Sequence, residues 1–274
     1  FSKPLCVLSG AAGTGKTTFL RQLRQDTYKR NIVVAPTGVA AINANGVTIH
    51  SFFQLAPGLM PKNDAKFQFS KHKLNILRSL DLLIIDEISM VRCDLLDAID
   101  EVLRRYQDRS KPFGGVQVLM IGDLQQLAPV ATEDEWSILK ERYTTPYFFS
   151  AKVFEQTNFT TIELKKVYRQ DNEEFIRVLN NVRDNKIDQE TLNILNSRYK
   201  ENFYPDEKEG YITLTTHNVQ AQKINQEHMD KLHTQPETFE AVVEGEFPET
   251  SFPTDSNLTL KVGAQVMFCK NDSA

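Results

Sequence analysis

The chain has 274 residues, of which 41% are hydrophobic and 25% are charged. These values are typical of a soluble globular protein with room for two domains, and no apolar run approaches the roughly 20 residues of a membrane-spanning helix. The formal net charge of -4 does not by itself suggest a nucleic-acid partner, but residues 201–274 carry five basic against 13 acidic groups, leaving 27 basic against 23 acidic in residues 1–200. Any polyanion would therefore meet the first 200 residues.

The three cysteines, Cys6, Cys93 and Cys269, are far apart and form no Cys-x-x-Cys pair. We expect them to be reduced, which predicts an intracellular protein: cytoplasmic in a bacterium, nuclear or mitochondrial in a eukaryote. No cleavable signal is visible before the first apolar run. Cysteine and histidine ligands are not clustered, so the sequence gives no reason to expect a structural metal.

The first motif along the chain is Gly10–Thr17, which fits the phosphate-loop pattern Gly-x-x-x-x-Gly-Lys-[Ser/Thr]. The apolar run Leu5–Leu8 precedes it, and apolar residues at helical spacing follow, so the pattern predicts strand, loop and helix. An ordinary glycine-rich turn is the alternative. We expect Lys16 to reach the β- and γ-phosphates of ATP and Thr17 to ligate Mg²⁺. The predicted nucleotide-binding residues are Gly10, Ala12, Gly13, Thr14, Gly15, Lys16, Thr17 and Thr18.

A second buried strand, Asn31–Ala35, leads into Pro36, Thr37, Gly38 and Val39. In open α/β sheets the functional loops lie at the carboxyl ends of strands, so this segment is expected on the same rim as the phosphate loop. The following stretch contains His50, Ser51 and Phe52. Hydroxyl groups suit phosphate contacts and exposed aromatic rings suit stacking on unpaired bases, although Phe52 or its neighbour Phe53 could instead belong to the core.

Residues 55–73 lack helical or strand periodicity and contain prolines and a glycine, which indicates a surface excursion from the first domain. An inert loop is the simplest interpretation. Leu59 and Met60 lie between two prolines, and an exposed apolar pair favours the alternative of a wedge that separates DNA strands.

The third buried strand, Leu80–Ile85, ends in the adjacent acids Asp86 and Glu87. Adjacent residues on a strand point in opposite directions, so Asp86 is predicted to face Mg²⁺ and Glu87 the attacking water. Two acids capping the next helix are the alternative. A fourth strand, Val116–Ile121, leads to Gln126, whose amide could touch the γ-phosphate and so distinguish ATP from ADP.

The second part of the chain is expected to begin near Asn158, with a new strand at residues 161–164. Amphipathic helices at Glu173–Arg183 and Gln189–Tyr199 follow, and then a strand at residues 211–216. Its carboxyl end places Thr215, Thr216 and His217 at a helix start, which suits phosphate contacts. From about residue 238 the apolar residues alternate loosely, which indicates β-structure.

Together these motifs resemble those of superfamily-one helicases, in the same order. The elements are the phosphate loop, residues 35–41, residues 48–53, Asp86–Met90, residues 112–117, Gly122–Leu127 and residues 167–170. The stretch from Glu87 to the Phe-Gly-Gly element is similar to the signature of the Pif family of DNA helicases, which are close relatives of RecD-type enzymes.

The resemblance implies an α/β fold of the P-loop NTPase class. Residues 1–157 would form a RecA-like ATP-binding domain with residues 55–73 inserted, and residues 158–274 an incomplete second RecA-like domain with a β-rich insertion from about 238. It implies ATP and Mg²⁺ as cofactors and Lys16, Asp86, Glu87, Gln126 and Arg169 as the catalytic group, with Arg169 an arginine finger from the second domain. The segments that contain Thr37, His50, Phe52 and Thr216 would line the DNA.

The activity implied is ATP-dependent movement on single-stranded DNA in the 5′-to-3′ direction by a monomer, with unwinding of forked duplexes and G-quadruplexes. Roles in DNA replication, repair, recombination and telomere maintenance would follow. Two family elements are not seen: an adenine-reading glutamine motif upstream of the phosphate loop, and the last two motifs, which supply a second Arg to ATP and close the second domain. A P-loop nucleotide or metabolite kinase, or a DNA-binding module that holds ATP with little turnover, are the alternatives.

Overall fold

The computed structural model describes residues 5–56, 58–60, 69–169, 171–203, 211–243 and 254–266. Six parallel strands form one sheet, in the order β3-β2-β4-β5-β1-β6. They are β1 (Leu5–Gly10), β2 (Asn31–Ala35), β3 (Val47–Thr48), β4 (Leu82–Ile85), β5 (Gln117–Gly122) and β6 (Thr160–Leu164). A parallel sheet whose strands alternate with helices along the chain confirms the predicted α/β class.

The described residues form nine α-helices. They are α1 (Lys16–Asp26), α2 (Gly38–Asn43), α3 (Ile49–Phe53), α4 (Lys71–Ser79), α5 (Cys93–Tyr106), α6 (Glu133–Leu139), α7 (Glu173–Arg183), α8 (Gln189–Asn196) and α9 (Asn218–Lys231). No helix in the described ranges is long and apolar enough to span a bilayer. Cys6 and Cys93 are free, buried thiols, and Cys269 lies outside the described residues.

Both faces of the sheet are buried, because side chains of the central strands alternate between two apolar clusters. On β4, Leu83 and Ile85 enter the cluster that contains the apolar face of α5, whereas Leu82 and Ile84 enter the cluster with Leu20 of α1. This double burial explains why β1, β4 and β5 are nearly continuous apolar runs.

The described residues divide into two compact units, one up to residue 191 and one from residue 192. The predicted boundary near Asn158 lies earlier than this division, because β6 pairs in parallel with β1 and so belongs to the first sheet. The predicted strand at residues 211–216 is wrong, since residues 211–217 have no regular secondary structure. In the second unit, β7 (Pro236–Glu240) and β8 (Asn257–Lys261) pair antiparallel, and its assignment as an incomplete RecA-like domain stays a prediction.

The start of the 55–73 segment is fastened to the first unit. Leu55 is buried, and Leu59 and Met60 are partly buried against the main apolar cluster. The Met60 amide donates to Asp94 Oδ2 at 3.2 Å. These contacts disagree with an exposed apolar pair, while residues 57 and 61–68 lie outside the described part of the chain.

Replacement of Phe53 by alanine is expected to destabilise the protein by about 3–5 kcal/mol, the usual cost of removing a fully buried aromatic side chain. Phe53 is 0% exposed, and its ring meets that of Phe52 edge to face at 4.8 Å. Urea unfolding should show a lower midpoint at an unchanged slope. Tyr28→Ala, at a residue 94% exposed, is the control, and an equal shift in both variants would contradict the prediction.

Candidate nucleotide and DNA site

The phosphate loop has the predicted strand, loop and helix order. Strand β1 ends at Gly10 and α1 begins at Lys16, and the residue before the helix, Gly15, provides no side-chain cap. The first N–H groups of a helix have no partner within the helix, and an uncapped helix start attracts anions. Thr17 and Thr18 are exposed in this first turn. The loop therefore has the donors that a phosphate chain needs.

Arg169 lies against this loop. Gly13 has a φ of 78°, and a Cβ added there would come within 2.6 Å of Arg169 Cβ. The backbone N–H of Tyr168 donates to the Gly13 carbonyl at 2.8 Å. Arg169 falls in the first compact unit and its backbone already packs on the loop, whereas the arginine finger is predicted to be drawn there from a second domain. Its catalytic role stays a prediction.

Lys16 is half-buried among acids. Its Nζ donates to the carbonyls of Gly10 at 2.7 Å and Ala11 at 3.0 Å. Burial lowers the pKa of this amine, and the carboxylates of Asp123, Glu87 and Asp86 act in the opposite direction. The amine is therefore placed to exchange loop carbonyls for phosphate oxygens.

Asp86 and Glu87 do not divide by strand alternation, because β4 ends at Ile85. Glu87 has a left-handed backbone, with φ 50° and ψ 47°, and it precedes the 3-10 turn Ile88–Met90 without capping it by its side chain. Asp86 Oδ1 accepts from the Glu87 amide at 3.0 Å. The chain therefore leaves the strand direction at Glu87, and the predicted division of roles between the two acids stays a prediction.

Burial raises the pKa of both acids, and for Glu87 the neighbouring Asp86 carboxylate raises it further. Buried carboxylates of this kind gain from a cation. Carboxylate and hydroxyl oxygens are also the hard ligands that Mg²⁺ prefers. The donor set of Asp86 and Thr17 therefore fits the metal role predicted for it.

Asp123 is a site residue that the sequence analysis missed. It directly follows β5 as Asp86 follows β4, and it is only 2% exposed. Its Oδ2 accepts from the side-chain amide of Gln126 at 3.3 Å, so the predicted γ-phosphate sensor is held beside the acids. An acid at the carboxyl end of a central strand is a sequence signal from which Asp123 could have been predicted.

One cleft of about 220 Å³ joins the predicted DNA rim to the predicted hydrolytic residues. Thr37 and Val39 line it from the start of α2, and Glu87 and Gln126 line it from the ends of β4 and β5. Thr37 caps α2, with Oγ1 accepting from the Ala40 amide at 3.2 Å, and Val39 is 45% exposed. A second cavity, of about 250 Å³, is lined by Cys6 and by residues at the amino ends of β4 and β5.

The residues predicted to bind DNA fall into three groups. The first, Pro36, Thr37, Gly38 and Val39, joins β2 to α2 at the rim. The second is in α3, where Ser51 is exposed and His50 is half-buried, with burial lowering the pKa of the imidazole. The third, Thr215, Thr216 and His217, precedes α9 in the second compact unit, and Thr216 Oγ1 lies 2.9 Å from His217 Nδ1.

Phe52 does not have the surface position that base stacking needs. It is 3% exposed, its ring packs on Phe53, and Lys73 Nζ lies 3.8 Å from the ring centroid. Its predicted stacking role is therefore wrong, and the core interpretation holds for both rings. The short α3 places Phe52 and Phe53 inward.

Residues 3–193 match the PIF1-like helicase family. The chain belongs to that family. The ATP-dependent DNA helicase PIF1 of Saccharomyces cerevisiae is 33% identical over 282 residues, which cover 96% of this chain and 31% of the yeast protein. Family membership confirms the resemblance on which the motif assignments rest.

Solved structures of Pif1 helicases agree in fold. One, from a study of unwinding at forked double-stranded DNA by two coordinating Pif1 helicases, is 44% identical with a TM-score of 0.89, covering 99% of this chain and 64% of that one. A Bacteroides Pif1 in complex with ADP-AlF3 and single-stranded DNA is 42% identical with a TM-score of 0.85, covering 94% and 60%. The chain thus spans less than two thirds of the PIF1-like proteins named here.

Proposed function

We propose that this chain binds and hydrolyses ATP with Mg²⁺ as part of a DNA helicase that moves 5′ to 3′ on single-stranded DNA. The observation that carries the proposal is the shared cleft, in which Thr37 and Val39 of the DNA rim face the same space as Glu87 and Gln126. Membership of the PIF1-like family supports the same function. The proposed substrates are forked duplex and G-quadruplex DNA, and the proposed roles are in replication, repair, recombination and telomere maintenance.

In this proposal each side chain has a separate role in ATP hydrolysis. Lys16 and the start of α1 hold the β- and γ-phosphates, and Glu87 orients the attacking water. Arg169 stabilises the charge that develops on the transferring phosphoryl group. Mg²⁺, held by Thr17 and Asp86, would neutralise charge on the phosphate oxygens. Gly10, Ala12, Gly13, Thr14, Gly15 and Thr18 would complete the nucleotide contacts.

The DNA would be held by hydroxyl groups and backbone N–H groups rather than by buried rings. We place Pro36, Thr37, Gly38, Val39, His50 and Ser51 against the sugar-phosphate chain, with Thr215, Thr216 and His217 as a separate set in the second unit. Such contacts position a nucleic acid without reading its sequence. A single copy of the chain would carry both sets, so we propose that it acts as a monomer.

The test is the ATPase rate of the chain with and without single-stranded DNA. A rate that rises strongly with DNA supports the proposal. Phosphoryl transfer to a nucleotide or metabolite would identify a kinase, and tight DNA binding without turnover would identify a module that only holds ATP. Either result would contradict the proposed function.

Replacement of Gln126 by alanine is expected to weaken DNA stimulation of the ATPase more than it weakens nucleotide affinity. The side-chain amide of Gln126 binds Asp123, and Gln126 lines the cleft that Thr37 also lines. The amide therefore links the nucleotide site to the DNA rim, but because it is neutral it does not neutralise phosphate charge. Stimulation ratios and equilibrium titration with a fluorescent ATP analogue measure the two effects. Gln125→Ala, at the adjacent exposed residue, is the control, and an unaltered stimulation ratio in Gln126→Ala would count against the sensor role.

A further inference from the structure

Among the described residues, the buried carboxylate of Asp123 accepts three side-chain or backbone hydrogen bonds. Oδ1 accepts from the Gln125 amide at 3.2 Å and from Arg183 Nη2 at 3.3 Å, and Oδ2 accepts from Gln126 Nε2 at 3.3 Å. Asp123 therefore fixes the loop of Gln126 and also ties it to the last residue of α7.

Arg183 donates to this carboxylate through Nη2 only. Its side chain is 24% exposed, and the other terminal nitrogen, Nη1, lies 3.4 Å from Asp184 Oδ1. The Nε group is buried and has no hydrogen-bond partner among the described residues. A buried donor without a partner is costly, whereas an arginine and a carboxylate are most stable as a two-pronged pair. The present contact is therefore an incomplete form of a stronger one.

The other carboxylate oxygen of Asp123, Oδ2, accepts from the side-chain amide of Gln126. This is the amide that is predicted from the sequence to touch the γ-phosphate. When it turns to a phosphate oxygen, Oδ2 loses its donor while Nε of Arg183 still lacks an acceptor. The two unsatisfied groups are then on neighbouring side chains that are already in contact at 3.3 Å through Nη2 and Oδ1.

We propose that Asp123 exchanges partners in response to the γ-phosphate: Gln126 leaves Oδ2, and Arg183 closes on the carboxylate with Nε and Nη2 together. Arg183 is then a positioning residue that makes α7 respond to the state of the nucleotide. This inference rests on the proposed binding of ATP at the phosphate loop.

The response would reach the end of the first compact unit. Two residues before Arg183, Asn181 Nδ2 donates to Thr191 Oγ1 at 2.8 Å, and Thr191 is 0% exposed. Thr191 is the residue at which the first unit ends. The order of coupled contacts is thus Gln126, Asp123, Arg183, α7 and Thr191.

The experiment measures amide hydrogen exchange across residues 180–186 with ADP and with ADP plus aluminium fluoride, which supplies a mimic of the γ-phosphate. In the unaltered chain, aluminium fluoride should slow exchange about fivefold, the effect of one added hydrogen bond. Gln126→Ala should give slow exchange in both states, because Oδ2 is then always available to Arg183. Arg183→Lys should give fast exchange in both states, because lysine has no second prong.

Arg177→Lys is the matched control, because Arg177 lies on the same helix but pairs with Glu190, at 2.9 Å. It should retain the full response to aluminium fluoride. An Arg183→Lys variant that responds as the unaltered chain does, or an unaltered chain that binds both nucleotides without a change in exchange, would overturn the partner exchange alone. Absence of nucleotide binding in a fluorescence titration of the unaltered chain would overturn the proposed function as well.

Discussion

Replacement of Lys16 by alanine is expected to lower the ATPase rate at least about 100-fold, the effect of removing one preorganised donor from a developing negative charge. The structure gives a second reason. The amine lies within the electrostatic influence of Asp86, Glu87 and Asp123. Without the ammonium group, three carboxylates would face a triphosphate, and like charges repel strongly where water is excluded. The variant should therefore lose nucleotide affinity as well as turnover.

Two further variants separate charge from geometry. Lys16→Arg keeps the positive charge, but its planar group cannot replace an amine that sits between the carbonyls of Gly10 and Ala11. It should recover nucleotide affinity better than rate. Arg21→Ala removes an exposed cation from the same helix and should change neither quantity. The measurements are steady-state ATPase kinetics and titration with a fluorescent ATP analogue, and a Lys16→Ala rate equal to that of Arg21→Ala would contradict the assignment.

The parts of the site that the sequence predicts well are local ones. The course from β1 through the loop to α1 depends on residues within about 20 positions of one another, and glycine, lysine and apolar spacing all indicate the same structure. The positions of Asp86 and Glu87 directly after β4 are likewise predicted from neighbouring residues. Their geometry is not, because the left-handed backbone of Glu87 depends on how the following 3-10 turn packs.

Apart from the strand wrongly predicted at residues 211–216, what the sequence does not predict is mostly contacts between residues far apart in the chain. Whether Phe52 is exposed depends on which elements cover α3, and its own neighbours give no indication. The strand Thr160–Leu164 was identified, but its parallel pairing with β1 joins residues more than 150 positions apart. Arg183 is 60 positions from Asp123, and nothing in the sequence near either one indicates that they meet. Burial and pairing across such distances are set by tertiary packing.

The raised pKa of Glu87 also predicts how ATPase activity depends on pH. Burial raises the pKa of Glu87, so this carboxylate takes up a proton at a higher pH than an exposed glutamate does. The protonated form cannot orient the attacking water as an acceptor, so kcat/KM for ATP, which reports the free enzyme, should fall as pH decreases through the raised pKa. A pH profile of kcat/KM that follows an exposed glutamate, with no loss above the ordinary range, would argue against Glu87 as the residue that orients the water.

Replacement of Arg169 by alanine is expected to lower kcat about 1,000-fold or more, as for other arginine side chains that stabilise the transition state of phosphoryl transfer. The backbone contact of Tyr168 with Gly13 holds the segment against the loop, so the Arg169 side chain begins at the phosphate loop. KM for ATP should change much less than kcat, because the charge that Arg169 meets develops only in the transition state.

The comparison of three variants distinguishes this role from a general loss of positive charge. Arg169→Lys keeps one charge but loses the two-pronged geometry, so its kcat should lie between those of the unaltered chain and Arg169→Ala. Lys165→Ala removes a cation whose side chain is 83% exposed and lies 4.0 Å from Glu163, so it should leave both constants unchanged. If Arg169→Ala raises KM and leaves kcat intact, the guanidinium binds the ground state of ATP, and its role as an arginine finger is refuted.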